Sequence, residues 1–188
     1  MKNKSGIKEN VKKISEQLTN ILSVKPTDIV SAIKMDHEGL RNFLSILKNT
    51  DGKMSDRRRA YESFSALLKS HSEIEEKVAY LATFKLAGKD MHIKVSEGYV
   101  EHQLATDLMK RIEKAKKPLD WSAHVNVLSE IVEHHLKEEE RDLLPLIREA
   151  ATAKLDKSML EEFLRLRLKT QQKINKKNAG VLKKVKKV

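Results

Sequence analysis

The sequence predicts an all-α protein, an antiparallel up-down-up-down four-helix bundle with further helical segments at both ends. Three observations predict it. The 188 residues are rich in Leu, Ile, Lys and Glu and hold only three prolines and six glycines, a mix that favours long helices over strands. Apolar residues recur at helical spacing in four long runs. The connections between those runs are short, which makes successive helices antiparallel. The length suits one domain with a sizeable core.

The elements follow in order. Residues 8–23 place Ile7, Val11, Ile14, Leu18 and Leu22 on one side, and Pro26 then breaks the chain. Thr27 and Asp28 are starters for the first bundle helix, with Val30, Ile33, His37, Leu40, Leu44 and Leu47 in line. Asn49 to Gly52 read as a loop. Ser55 or Asp56 caps the second helix, whose line runs Phe64, Leu67, Leu68, Ile74, Val78 and Leu81, with Gly88 as its stop. The third spans about 90–116 through Val95, Tyr99, Leu104, Leu108, Met109 and Ile112, and Pro118 breaks it. Asp120 caps the fourth, which carries Leu128, Ile131, Val132, Leu143 and Leu146, with Pro145 kinking or ending its last turns. A fifth helix is expected over about 156–177, and the tail KKNAGVLKKVKKV is expected to fray. This divides the chain into a basic helical extension (1–25), the bundle (26–151) and a C-terminal helix with a basic tail (152–188).

The net charge of +11 resembles a nucleic-acid signal until it is located. Residues 165–188 hold ten Lys or Arg and no acid, and residues 1–25 hold six lysines against Glu9 and Glu16. The body between them is mildly acidic, which is not how a DNA-gripping face is built. The tail has no aromatic residue after Phe163 to stack on bases. With no cysteine, disulfides, zinc-thiolate sites and iron–sulfur ligation by this chain are excluded. No apolar run reaches the length of a membrane span, and residues 1–20 lack the apolar core of a signal peptide. A cytoplasmic protein is the expectation.

Four histidines stand at regular steps, His37, His71, His102 and His135, separated by 34, 31 and 33 residues. Glu75 follows His71 by four residues, and Glu139 follows His135 by four. The chain thus repeats a hairpin of one lone His and then His-x3-Glu, with offsets of 65 and 64 residues. In an antiparallel bundle, near-equal steps return each marked residue to about the same height. Residues four apart share a helix face about 6 Å apart along the axis. Four His and two Glu at one level offer about three ligands to each of two metal ions, with carboxylates free to bridge. Mixed imidazole and carboxylate ligation suits iron, manganese or zinc, and open positions suit iron meeting oxygen. A lone inward His is more often a core residue, and an i,i+4 His/Glu pair more often a surface pair. The conjunction, repeated twice, favours a metal, because such groups are costly to bury without a cation. His134/Glu138 is a rival pair one register off; His135/Glu139 aligns with the apolar line. His124, about 16 Å away along its helix, reads as a core or helix-end residue, and His92 as exposed. Tyr99, one turn before His102, reads as a core tyrosine or as a donor near the site.

The segments DHEGL at His37, HSEIEEKVAYL at His71, EH at Glu101–His102 and HLKEEERDLLPLI at His135 resemble the hemerythrin-like HHE cation-binding domain over about residues 30–150. The resemblance implies a hemerythrin-like bundle around two iron ions with an oxo or hydroxo bridge, with Mn or Zn as substitutes. It maps His37, His71, His102 and His135 as terminal ligands and Glu75 and Glu139 as bridging carboxylates. Oxygen-carrying hemerythrins have a further His where this chain has Thr106, and place the last carboxylate five residues after its His, as Asp. The set here is closer to bacterial di-iron proteins of stress response and iron-centre repair.

These implications lead to three functional expectations. The first is a di-iron protein that binds or reacts with O2, NO or peroxide as sensor, scavenger or carrier, served by a redox partner the sequence does not identify. The second is an iron donor or repair factor for damaged iron–sulfur centres. The third is a non-enzymatic bundle that docks an anionic partner through its basic tail. No nucleophile elbow, phosphate-cradling glycine loop or Ser/His/Asp arrangement is visible, so any catalysis would be metal chemistry, and enzyme status stays open.

Overall fold

The computed structural model describes residues 25–86 and 89–185, all of whose regular structure is helical. The helix expected over 8–23 and the stop expected at Gly88 lie outside the described residues. Five helices follow one another: α1, Ile29–Lys48; α2, beginning at Met54 and reaching Leu86; α3, Lys89–Lys114; α4, Pro118 to Ala150; and α5, Ala153–Val185.

Local chemistry starts these helices in different ways. Asp28 caps α1, accepting from the Ser31 amide at 2.6 Å, while the Ser31 hydroxyl accepts from the Asp28 amide at 3.1 Å. Two of the amides left bare at a helix start are thereby satisfied. The caps expected at Ser55 or Asp56 and at Asp120 are not formed. Lys53 and Lys117 occupy those positions and cap with no side chain. Pro118 opens α4 instead of merely ending α3, because its missing N–H is one a helix start leaves unpaired anyway. Pro145 does not stop α4 either, which continues to Ala150. α5 runs past the expected Lys177 to Val185, lysine being a good helix former.

Two helices carry an insertion. α2 is α-helical over Met54–Glu75, widens into a π turn over Glu76–Tyr80, and resumes over Leu81–Leu86. α4 does the same, with its π turn at Glu139–Leu143. Each π turn falls at the glutamate of a His-x3-Glu pair, so the sequence repeat is also a repeat of backbone form. Because a π turn holds an extra residue, it rotates everything beyond it. Leu81 is consequently half-exposed while Tyr80 is fully buried, the reverse of the straight-helix expectation. Leu104 and Leu146, expected inward, are also substantially exposed. On α3 the buried positions among the residues whose burial is described are Val95, Gly98, His102, Ala105, Met109 and Ile112, at steps of three and four.

α1 packs on α2, α3 on α4, and α1 on α4, while α5 lies against α1 and α2. Apolar residues form two layers. One gathers Leu40, Phe43, Phe64, Met109, Trp121 and Leu136 among others. The second gathers Ile29, Ile33, Ile74, Tyr80, Leu144 and, from α5, Met159 and Phe163. The buried polar residues of the repeat lie between them. None of the described helices is long and apolar enough to cross a membrane.

Candidate metal centre

All six residues singled out by the repeat are buried: His37, His71 and Glu75 completely, His102, His135 and Glu139 nearly so. They converge. Nε2 of His71 lies 3.2 Å from Glu75 Oε2, and Nε2 of His102 lies 3.6 Å from the same oxygen. Nε2 of His37 and of His135 lie 3.3 and 3.4 Å from Glu139 Oε2. Two overlapping groups result, His71/Glu75/His102/His135 and His37/His71/Glu75/Glu139, each with one ligand atom per residue within 4.8 Å of the others. The register question resolves to His135/Glu139, which face inward, while His134 is 65 % exposed. His124 hydrogen-bonds the Asp120 carbonyl at the start of α4, a helix-end role. His92 lies at the surface against the Phe84 carbonyl.

A second ring of residues escaped sequence reasoning. Each inward histidine turns its other nitrogen, Nδ1, toward a carboxylate. For His37 it is Glu140 at 2.8 Å, for His102 Glu76 at 2.9 Å, and for His135 Glu101 at 2.8 Å. For His71 it is Asp36, farther off at 3.9 Å. A carboxylate on Nδ1 holds the proton there and aims Nε2 at the centre. The signal was present in the repeat: an acid precedes each lone His (Asp36, Glu101) and another follows each paired Glu (Glu76, Glu140).

Tyr80 was also missed. Its hydroxyl donates to Glu139 Oε1 at 2.6 Å, and its ring stacks on His102 with centroids 5.6 Å apart. In a straight helix, a residue five after Glu75 would turn away; the π turn brings it in. Tyr99 makes an edge contact with Tyr80 and reaches the Glu76 carbonyl, one layer out from the centre. Gly98 makes room for Tyr80, since a Cβ there would lie 2.3 Å from the tyrosine oxygen. Thr106 is half-buried in a groove it shares with Glu76, Tyr99 and His102.

The electrostatics are those of groups that need a cation. Nε2 of His37, both ring nitrogens of His71, both oxygens of Glu75 and Oε2 of Glu139 are buried without a hydrogen-bond partner. Nε2 of His102 and of His135 face each other at 3.0 Å. With Nδ1 protons held by carboxylates, both are lone pairs pointing at one spot. Unsatisfied buried polar atoms are rare and costly, and positive charge at this spot satisfies the inward-facing Nε2 and carboxylate oxygen atoms together. Burial opposes charging of His71 and His135, yet the charge of Glu75 on the first and of Glu139 on the second outweighs it and raises both imidazoles. Burial likewise opposes ionisation of Glu139, but His135 and His37 outweigh it and hold its carboxyl well below the usual range. Burial, with Glu75 and Glu139 beside it, keeps the Tyr80 hydroxyl protonated far above its ordinary range.

The chain belongs to the hemerythrin HHE cation-binding domain family, whose model matches residues 28–147. The match spans every residue of the buried cluster. Among solved structures it is similar to a hemerythrin HHE cation-binding domain-containing protein, the Rv2633c homologue from Mycobacterium kansasii. The TM-score is 0.66 and the identity 18 %, over 80 % of this chain and 91 % of that one. At that identity the likeness establishes the shared fold. No curated protein matches the sequence. A cation-binding family and a buried His/Glu cluster together indicate metal binding.

Proposed function

We propose that residues 26–151 hold a pair of iron ions and that the protein binds or reacts with O2, NO or peroxide. In this reading His37, His71, His102 and His135 are terminal ligands, and Glu75 and Glu139 bridge. One observation carries it: four Nε2 atoms and two carboxylates converge in one buried layer, and every Nδ1 faces a carboxylate. When bound, the ions supply one-electron redox change and open positions for a small ligand.

The chain's own residues do the rest. Glu140, Glu76 and Glu101 orient the imidazoles of His37, His102 and His135 and raise their basicity. Tyr80 donates to Glu139 Oε1, which fixes the orientation of that carboxylate. The apolar layers on either side exclude bulk water, and six protein ligands leave places that a seventh, as in the oxygen carriers, would fill. Thr106 stands where that ligand would be, which favours a reactive or sensing role over dedicated oxygen carriage.

Anaerobically purified protein should contain about two irons per chain and develop an oxo-bridge charge-transfer band in air. A Glu75→Ala, Glu139→Ala variant should lose most of that iron, and unchanged iron content in it would sink the assignment. Spectra recorded with NO and with O2 then separate the gas-binding readings.

A further inference from the structure

The two hairpins are related by an internal repeat, yet their outer faces differ. Asp36, Ser70 and Ile74 in the first correspond to Glu101, His134 and Glu138 in the second, at offsets of 65 and 64 residues. On the first hairpin all three positions are buried. α5 lies over this side, and Arg167 pairs with Asp36 there. On the second hairpin the corresponding positions are accessible and all three can ligate. Nε2 of His134 lies 3.6 Å from Glu138 Oε2 and 3.9 Å from Glu101 Oε1. One ligand atom from each of the three falls within 4.8 Å of the others.

We propose that Glu101, His134 and Glu138 form an outer site for a divalent cation, through which metal reaches the buried centre from the α3/α4 face. Glu101 links the two. Its Oε2 accepts from Nδ1 of the inward His135 at 2.8 Å, and its Oε1 faces His134. The outer trio lines a surface groove of about 650 Å³. Behind it a small cavity of about 20 Å³ touches both Glu101 and Glu138 on its outer side and Tyr80, His135 and Glu139 on its inner side. One imidazole and two carboxylates suit Fe(II), Mn(II), Co(II) or Zn(II), with the remaining positions left to water.

The trio has cationic neighbours. Lys94 Nζ lies 3.0 Å from Glu97 and 4.0 Å from Glu138, and Arg141 lies 3.1 Å from the other oxygen of Glu138. Both are exposed, flexible side chains, so a divalent ion displaces Lys94 at little cost. Together Glu97, Glu101, Glu138 and Asp142 make this mouth acidic, and an acidic mouth concentrates cations.

This inference rests on the metal-centre reading, and cobalt(II) titration of the metal-stripped full chain separates the two. Circular dichroism first checks that each variant keeps its helicity. Wild type should take up one more equivalent than a His134→Ala, Glu138→Gln variant. That variant should also fill its remaining sites at least about tenfold more slowly in stopped flow. A Glu75→Gln, Glu139→Gln variant should keep the equivalent that His134→Ala, Glu138→Gln loses. Stoichiometry and loading rate unchanged in His134→Ala, Glu138→Gln overturn the outer site and leave the buried centre standing. Uptake by wild type of only the equivalent that depends on His134 and Glu138 overturns the buried centre and supports the outer site.

Discussion

At the residue scale the centre depends on small fits as much as on its ligands. Gly98 is one. The Tyr80 ring is held between Tyr99 and His102, so it cannot yield to a Cβ built 2.3 Å from its oxygen. Gly98→Ala should destabilise the protein by about 1–3 kcal/mol, the usual range for overpacking, as read by urea unfolding. Titration is another residue-scale matter. In the metal-free protein His71 and His135 are raised above 6.5 and Glu139 is depressed below 4.5. The raised histidines contribute stability that is full below pH 6.5 and is lost as pH climbs through their folded values. The depressed glutamate contributes stability that is full above pH 4.5 and is lost as pH falls. Metal-free protein should therefore be most stable between about pH 4.5 and 6.5. Metal must displace imidazole protons, so loading should release protons and strengthen as pH rises. Thermal melts with and without metal across that range test both statements. The six inward residues were legible in the sequence because a repeated spacing marks them. Their four carboxylate partners carried the same repeat, but adjacency along the chain hides that they touch a histidine on another helix.

At the element scale, the five helices of the described residues were read correctly from apolar stripes, and errors concentrate where a helix departs from regular turns. Periodicity assumes 3.6 residues per turn, and the π turns at Glu76–Tyr80 and Glu139–Leu143 violate that assumption beside the buried His/Glu cluster. Leu81 and Tyr80 exchange expected places for this reason alone. Pro145 stands just past the second π turn, and Leu81 is its counterpart in the repeat. The Leu81 amide donates to the Val78 carbonyl three residues back, outside the regular helical pattern, and the side chain is half-exposed. Leu81→Pro should therefore cost well under the roughly 3 kcal/mol that proline costs inside a regular helix. A loss of that full size in chemical denaturation would show that the two π turns are not equivalent.

At the scale of the whole molecule, α5 breaks the symmetry of the paired hairpins. It buries Met159 and Phe163 in one apolar layer, its Asp156 accepts from the Ile29 amide at 3.1 Å, and its Arg167 pairs with Asp36. The sequence showed a fifth amphipathic helix, but nothing in its periodicity said which face of the bundle it would cover. The three shorter Nδ1 contacts are 2.8 to 2.9 Å, whereas Asp36, paired with Arg167, lies 3.9 Å from His71. His71 is thus the least firmly held of the four imidazoles, and in the proposed two-iron reading this makes the two ion positions electronically unequal. A nucleus placed in each half would sense a different electric field gradient. Iron-57 protein in one oxidation state should give two quadrupole doublets of equal area in its Mössbauer spectrum, where an unbroken repeat would give one.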